Sequence, residues 1–153
     1  MKYFGKVIRL LNMITSLSVD KLAYKITNNT ETKELIIRLN TDEQLFQGID
    51  STGRDLDSIG GSYSPLTIEI KKEKGQPYDR VTLKDTGEFY ESFKVNPYKG
   101  GFSISADAIK DQDDLTKEWG DDIIGLTDAS RNELVNHYRN EIIREIKRKL
   151  RNV

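Results

Sequence analysis

Leu134, Tyr138, Ile142, Ile146 and Leu150 recur every four residues, and Val135 and Ile143 widen the stripe they form. That spacing predicts an amphipathic helix ending near residue 150, because positions three and four apart share one face. Thr127 or Asp128 is placed to cap its start. Lys147, Arg148, Lys149 and Arg151 sit at its far end, where the helix dipole favours cations. A helix of roughly six turns with one apolar face must lie on something, so the rest of the chain has to supply a layer beneath it.

Upstream, helical patterns dominate the first 47 residues. Val7, Leu10, Leu11, Ile14 and Leu17 predict a helix over about residues 3–16. Ser18 then reads as the cap of a second helix over 19–28, with Leu22 and Ile26 on one face and Asn28, Asn29 and Thr30 breaking it. Residues 31–47 resume a helical pattern through Leu35, Ile36, Leu39 and Leu45, although Leu35-Ile36-Ile37 also fits a short strand.

From Gln47 the chemistry changes. Gly48, Gly53, Gly60 and Gly61 fall among Asp and Ser residues, which is turn chemistry. Ser64 and Pro65 read as the cap and first position of a short basic helix through Lys74, stopped by Gly75 and Pro77. Val81-Thr82-Leu83 reads as a short strand, and Asp85-Thr86-Gly87-Glu88 opens a short helix bearing Phe89, Tyr90 and Phe93. Residues 92–96 and 101–106 alternate polar and apolar around Pro97-Tyr98-Lys99-Gly100-Gly101, which predicts a hairpin. Residues 107–122 are acidic and expected to be irregular or briefly helical. The predicted class is α+β: N-terminal helices over 1–47, a small, mostly antiparallel sheet near 81–106, and a long C-terminal helix packed on it. With 153 residues, one domain is expected.

Composition narrows the function classes. The chain has no cysteine, which excludes disulfides and thiolate metal sites and makes a reducing compartment the simplest setting. Its net charge of −1 gives no global attraction to nucleic acid or to an anionic membrane. Apolar runs near the N-terminus never pass about three residues, against the roughly 7–15 of a signal peptide and the roughly 18 of a membrane span. A soluble protein made in the cytoplasm is expected. At 36% hydrophobic and 8% aromatic the core is lean, which suits equally a subunit that completes its burial against neighbours and a well-solvated monomer.

Candidate chemistry is sparse. His137 is the one histidine, off the apolar stripe, and reads as a partly exposed helical residue with no special role. Asp50 to Asp57 offers oxygens for a calcium loop, but Arg54 intrudes and no Glu closes it, so a glycine-rich turn is the better reading. Asp111, Asp113, Asp114, Glu118, Asp121 and Asp122 form a contiguous acidic run, which usually means a solvated loop rather than a two-metal site. No phosphate loop, nucleophile elbow or zinc signature is present, and nothing asks for a cofactor. The basic end of the last helix reads as dipole complementation, with nucleic-acid contact as an alternative. A third reading pairs the two patches: Asp111, Asp113, Asp114, Asp121 and Asp122 of one subunit meet Lys147, Arg148, Lys149 and Arg151 of the next in a head-to-tail ring.

Four motifs in order carry a resemblance. They are Gly48-Ile49-Asp50-Ser51-Thr52-Gly53-Arg54, Ser64-Pro65-Leu66-Thr67, Leu83 to Phe93 with its Thr86-Gly87 and Ser92, and Gly125-Leu126-Thr127 before the last helix. Together they resemble the bacteriophage virion-morphogenesis and tail-completion family over about residues 48–95 and 123–150. The chain departs at Asp55-Leu56-Asp57, where the family often has an aromatic residue, and Glu118-Trp119-Gly120 is a partial stand-in for the family's element before the last helix. The resemblance implies a structural, non-enzymatic subunit assembled in the host cytoplasm. Such a subunit forms a ring at the head–tail junction or neck, alongside other phage neck, portal or tail proteins, with DNA passing through the lumen without sequence-specific binding. It also implies neighbour contacts from residues 64–74 with the turn before them and from Phe89, Tyr90 and Phe93, although core packing is the better reading for Phe89 and Phe93. The rivals are a nucleic-acid-associated module using the basic helix end and a metal-dependent hydrolase using the acidic run.

Overall fold

The computed structural model describes residues 2–110 and 113–151; Asp111 of the acidic run lies outside them. The expected terminal helix is α8, Asp128–Arg151. Thr127 is its cap, with Oγ1 accepting from the Ser130 backbone N–H at 3.1 Å. The apolar stripe is only partly covered: Leu134 is buried and Tyr138, Ile142 and Ile146 are half-buried, while Val135, Ile143 and Leu150 stand exposed.

The N-terminal third is α1 (Lys2–Thr15), α2 (Val19–Thr27) and α3 (Thr30–Thr41). Ser18 caps α2 by accepting from Lys21 N–H, and Asn29 caps α3 by accepting from Glu31 N–H. Leu35-Ile36-Ile37 is helical, and Ile36 and Leu39 are its buried anchors. The helix expected to run to residue 47 stops at Thr41. A single tight turn follows at Leu45–Gln47, closed by Gly48 at φ +82°. A Cβ there would come within 3.2 Å of Arg80 and of the Val81 carbonyl, so the position needs glycine on both counts.

Two short helices follow: α4 (Leu56–Gly60) and α5 (Pro65–Glu73). Ser64 caps α5 by accepting from Thr67 N–H, with Pro65 at the first position, as the sequence predicts. The strand expected at Val81-Thr82-Leu83 does not form. Side chains take the hydrogen bonds a neighbouring strand would have taken. Asp57 accepts from Val81 N–H at 2.8 Å, the Tyr63 hydroxyl accepts from Thr82 N–H at 3.0 Å, and the Tyr90 hydroxyl donates to the Thr82 carbonyl. Buried Lys71 donates to the Lys84 carbonyl at 2.8 Å. With its polar groups met this way, the segment has no need of a sheet.

After α6 (Glu88–Glu91), the hairpin forms as β1 (Lys94–Tyr98) and β2 (Gly101–Ser105), antiparallel, with Val95 opposite Ile104 and Pro97 opposite Phe102. Its turn is shorter than expected, two residues at Lys99-Gly100, with Gly100 at φ +90°. The acidic segment is partly ordered as β3 (Ile109–Lys110), β4 (Asp113–Asp114) and α7 (Leu115–Trp119), then a tight turn at Asp121–Ile123. The strands therefore make two separate two-stranded antiparallel sheets rather than one. The class is α+β, as expected.

Two apolar clusters hold the fold. One gathers Leu45, Leu56, Val81, Phe89, Tyr90, Phe93, Ala108 and Ile123. The other gathers Ile36, Leu39, Val95, Leu126 and Leu134, between α3, the hairpin and α8. Ile37 and Ile104 touch both. Phe89 and Phe93 are core residues, as the better sequence reading has them, packed edge to face at 5.2 Å, and Tyr90, expected at a neighbour contact, is buried in the same cluster.

Candidate subunit interface

The acidic run and the basic helix end were expected to face a neighbour, and the structure divides both. Asp113 and Asp121 are exposed and make no ion pair among the described residues. Asp114 is committed locally: it caps α7, accepting from Thr116 N–H at 3.0 Å and from the Thr116 hydroxyl at 2.7 Å. Those two bonds hold its carboxyl below the ordinary Asp value. Asp122 is committed at long range, with Oδ2 3.1 Å from an Arg54 guanidinium nitrogen. At the other patch, Arg148 forks onto Glu145 at 2.7 and 2.9 Å, while Lys147, Lys149 and Arg151 make no ion pair among the described residues. Glu145 also receives Lys25 of α2 at 3.1 Å. First Arg148 and then Lys25 hold its carboxyl down at about 2.

Arg54 belongs to a turn built around Asp50. Asp50 is fully buried, with its carboxylate occupied by its own loop: Oδ1 accepts from Thr52 N–H at 2.8 Å, the Thr52 hydroxyl at 2.6 Å and Arg54 N–H at 3.0 Å, and Oδ2 accepts Arg54 Nε–H at 2.9 Å. Burial works to raise the Asp50 pKa. The bonds from Thr52 and Arg54 outweigh it, and the carboxyl sits below its ordinary value. This is the glycine-rich turn the sequence predicts, and Arg54 fills the place a cation would have taken. The arginine then reaches on to Asp122, while Ser51 N–H donates to the Asp122 carbonyl at 2.8 Å, so the turn is tied to the acidic segment twice.

A second tie escaped the sequence reading. Asn40, in the last turn of α3, and Gln44, in the turn that follows it, are both fully buried. Asn40 donates to the Ile123 carbonyl at 3.1 Å and accepts from Gly125 N–H at 2.8 Å. Gln44 donates to the Gly125 carbonyl at 2.9 Å and accepts from Thr127 N–H at 2.7 Å. The two amides imitate a neighbouring strand and fix residues 123–127, which aim α8. The available signal was a pair of amides four apart among apolar residues, but that pattern is common on exposed surfaces too. His137 is half-buried on α8, with Nε2 2.8 Å from the Thr32 hydroxyl. The Tyr138 hydroxyl hydrogen-bonds Thr27 of α2.

Beside this contact lies an open apolar groove of roughly 900 Å³, walled by Phe102 and Ile104 of β2 and by Leu134, Val135, Tyr138 and Ile142 of α8. Arg131 and Arg139 stand at its rim. A second, more polar depression of roughly 580 Å³ lies between α5 and the 83–88 segment. There Asp85 takes Lys110 and Lys74, which hold its carboxyl down to about 2. Among the described residues, no group of three or more His, Cys, Asp or Glu side chains is arranged to hold a metal ion, and no helix is long and apolar enough to cross a membrane.

No protein-family model, no curated protein and no solved structure matches the chain.

Proposed function

We propose that the chain is a structural virion protein of a tailed bacteriophage, a subunit of a ring at the head–tail junction that completes the tail or neck. What supports the reading is the order of the four family-like motifs together with what three of them build. The Gly48–Arg54 stretch is a closed turn around Asp50, Ser64-Pro65 starts a helix, and Gly125-Leu126-Thr127 launches a long terminal helix. The subunit acts by assembling with itself and with portal, neck or tail proteins in the host cytoplasm, and DNA crosses the lumen without base-specific contact. Its charged seam sets Asp113 and Asp121 of one copy against Lys147, Lys149 and Arg151 of the next, in a heterologous contact that closes. Asp114, Asp122 and Arg148 stay with their intrachain partners.

Electron microscopy and light scattering of the purified protein test the proposal. Closed rings of one size are expected. A strict monomer that also fails to bind neck, portal or tail proteins would overturn it.

A further inference from the structure

A lysine buried with no carboxylate beside it is costly, because an ammonium taken out of water needs an anion to offset the lost hydration. Lys71 of α5 is such a residue. It is 6% exposed and forms no ion pair among the described residues. Its Nζ donates to the Lys84 carbonyl at 2.8 Å and to Gln76 Oε1 at 3.3 Å, and it lies 4.8 Å from the centre of the Tyr63 ring. None of these partners carries a charge. An ammonium has three N–H donors, so one is left over.

Other cations gather at the same place. Lys74, just past the end of α5, and Lys110 of β3 both reach Asp85, the residue after the carbonyl that Lys71 holds. Three ammonium groups therefore meet at the Lys84–Asp85 step around one carboxylate, and positive charge is in excess there. Glu88 and Asp107 border the same depression, but both are exposed and locally engaged. Glu88 Oε2 accepts from the Thr86 hydroxyl at 3.2 Å, and Asp107 Oδ1 accepts from Ile109 N–H at 3.1 Å.

These lysines stand in the wall of the roughly 580 Å³ depression between α5 and the 83–88 segment. Tyr63, Leu83, Phe89, Leu115 and Trp119 supply an apolar wall. Leu83 is the one non-glycine residue at positive φ among the described residues, at +55°, and strained backbone of that kind collects at ligand clefts. We infer that the depression binds a small aromatic carboxylate, its carboxylate on Lys71 and its ring against Phe89, Leu115 and Trp119.

Size and charge select that class. The volume falls within the range of about 300–1,000 Å³ typical of small-ligand sites. Asp85 already holds Lys74 and Lys110, so Lys71 is the buried cation left to meet an anion. One ammonium is a point charge without a fork, which suits one carboxylate. A phosphate dianion would bring more charge and more oxygens than Lys71 can meet. None of the residues of the proposed ring seam lines the depression, so the inference does not rest on the virion reading.

The test titrates phenylacetate into the ¹⁵N-labelled full chain and follows the indole N–H signal of Trp119, the one tryptophan. A saturable shift with a dissociation constant of about 0.1–1 mM is expected for a ligand of that size. Phenylacetamide, the neutral counterpart, should bind about 10- to 100-fold more weakly, and phenyl phosphate no more tightly than phenylacetate. Lys71→Met should bring phenylacetate down to the level of the amide and leave the amide's own affinity unchanged, which shows that the cavity is intact. If Lys71→Met does not fold, Ile70→Glu carries the test. Ile70 lines the depression and is 42% exposed, so the new carboxylate should weaken phenylacetate about 10-fold or more with melting near wild type. No saturable shift of the indole signal up to about 20 mM phenylacetate would overturn the inference. So would equal binding of the acid and the amide, tighter binding of phenyl phosphate, or phenylacetate binding that the folded variants leave unchanged. Shifts confined to the groove beside Arg131 and Arg139 would overturn it as well.

Discussion

The Arg54 guanidinium bridges two carboxylates 72 residues apart in the chain: that of Asp50, buried in its own turn, and that of Asp122, exposed in the acidic segment, at 2.8 and 3.1 Å. One side chain therefore neutralises an interior charge and fastens a surface loop. Arg54→Ala leaves Asp50 buried with its cation gone, and is expected to cost about 1–3 kcal/mol. Asp122→Ala removes only the exposed half of the bridge and is expected to cost under about 1 kcal/mol. Urea unfolding of the two variants beside wild type checks the asymmetry; equal costs would mean that the Asp50 contact carries little.

The amide pair of Asn40 and Gln44 gives a second prediction. Asn40→Ala orphans the Ile123 carbonyl and the Gly125 N–H, and should cost about 2–4 kcal/mol. Gln44→Ala should cost a similar amount through the Gly125 carbonyl and the Thr127 N–H. Both amides hold the same five residues, so the double variant should cost less than the sum, with a coupling of about 0.5–3 kcal/mol in a double-mutant cycle. Strict additivity would show that the loop is held in two independent places.

Gly60 lies under the one tryptophan. A Cβ at Gly60 would overlap Trp119 Nε1, so Gly60→Ala must displace the indole that joins α7 to α4. A loss of about 1–3 kcal/mol is expected, with a red shift of the Trp119 emission as the ring moves toward water. An unchanged spectrum would show that the ring does not rest there in solution.

Glu145 sets a pH dependence. Its carboxyl falls from the ordinary 4.5 to about 2 under Arg148 and Lys25. A depressed folded pKa contributes stability above the unfolded value, so the α2–α8 contact is at full strength above about pH 4.5 and weakens as pH falls toward 2. Carboxyl-detected NMR titration should find the Glu145 midpoint well below 4.5, and Lys25→Met should move it part of the way back. Because both cations are largely exposed, the effect on global stability is expected to be small.

Much of the architecture was legible in residues whose meaning is local. Ser18, Ser64-Pro65 and Thr127 each cap the helix expected of them, since a cap needs only its own next turn. The hairpin followed from alternation around a glycine-bearing turn. What stayed hidden depends on contacts between distant segments. Val81-Thr82-Leu83 has strand composition, yet Asp57, Tyr63 and Tyr90 satisfy its backbone, and none of the three signals that in sequence. The acidic run looked uniform until Thr116 took Asp114 and Arg54 took Asp122. The groove was half legible: the α8 stripe was plain, but not that the fold would cover only one side of it.

The fastening of residues 123–127 to α3 has a mechanical consequence. α8 is a rod of 24 residues, about 36 Å long, gripped at one end by the Asn40 and Gln44 amides and steadied along its length by Thr27 and Lys25 of α2. A push delivered near Leu150 meets the Glu145–Lys25 contact first, then Tyr138 on Thr27, and reaches the four interior hydrogen bonds at residues 123–127 last, so the helix passes load to its anchored end in steps.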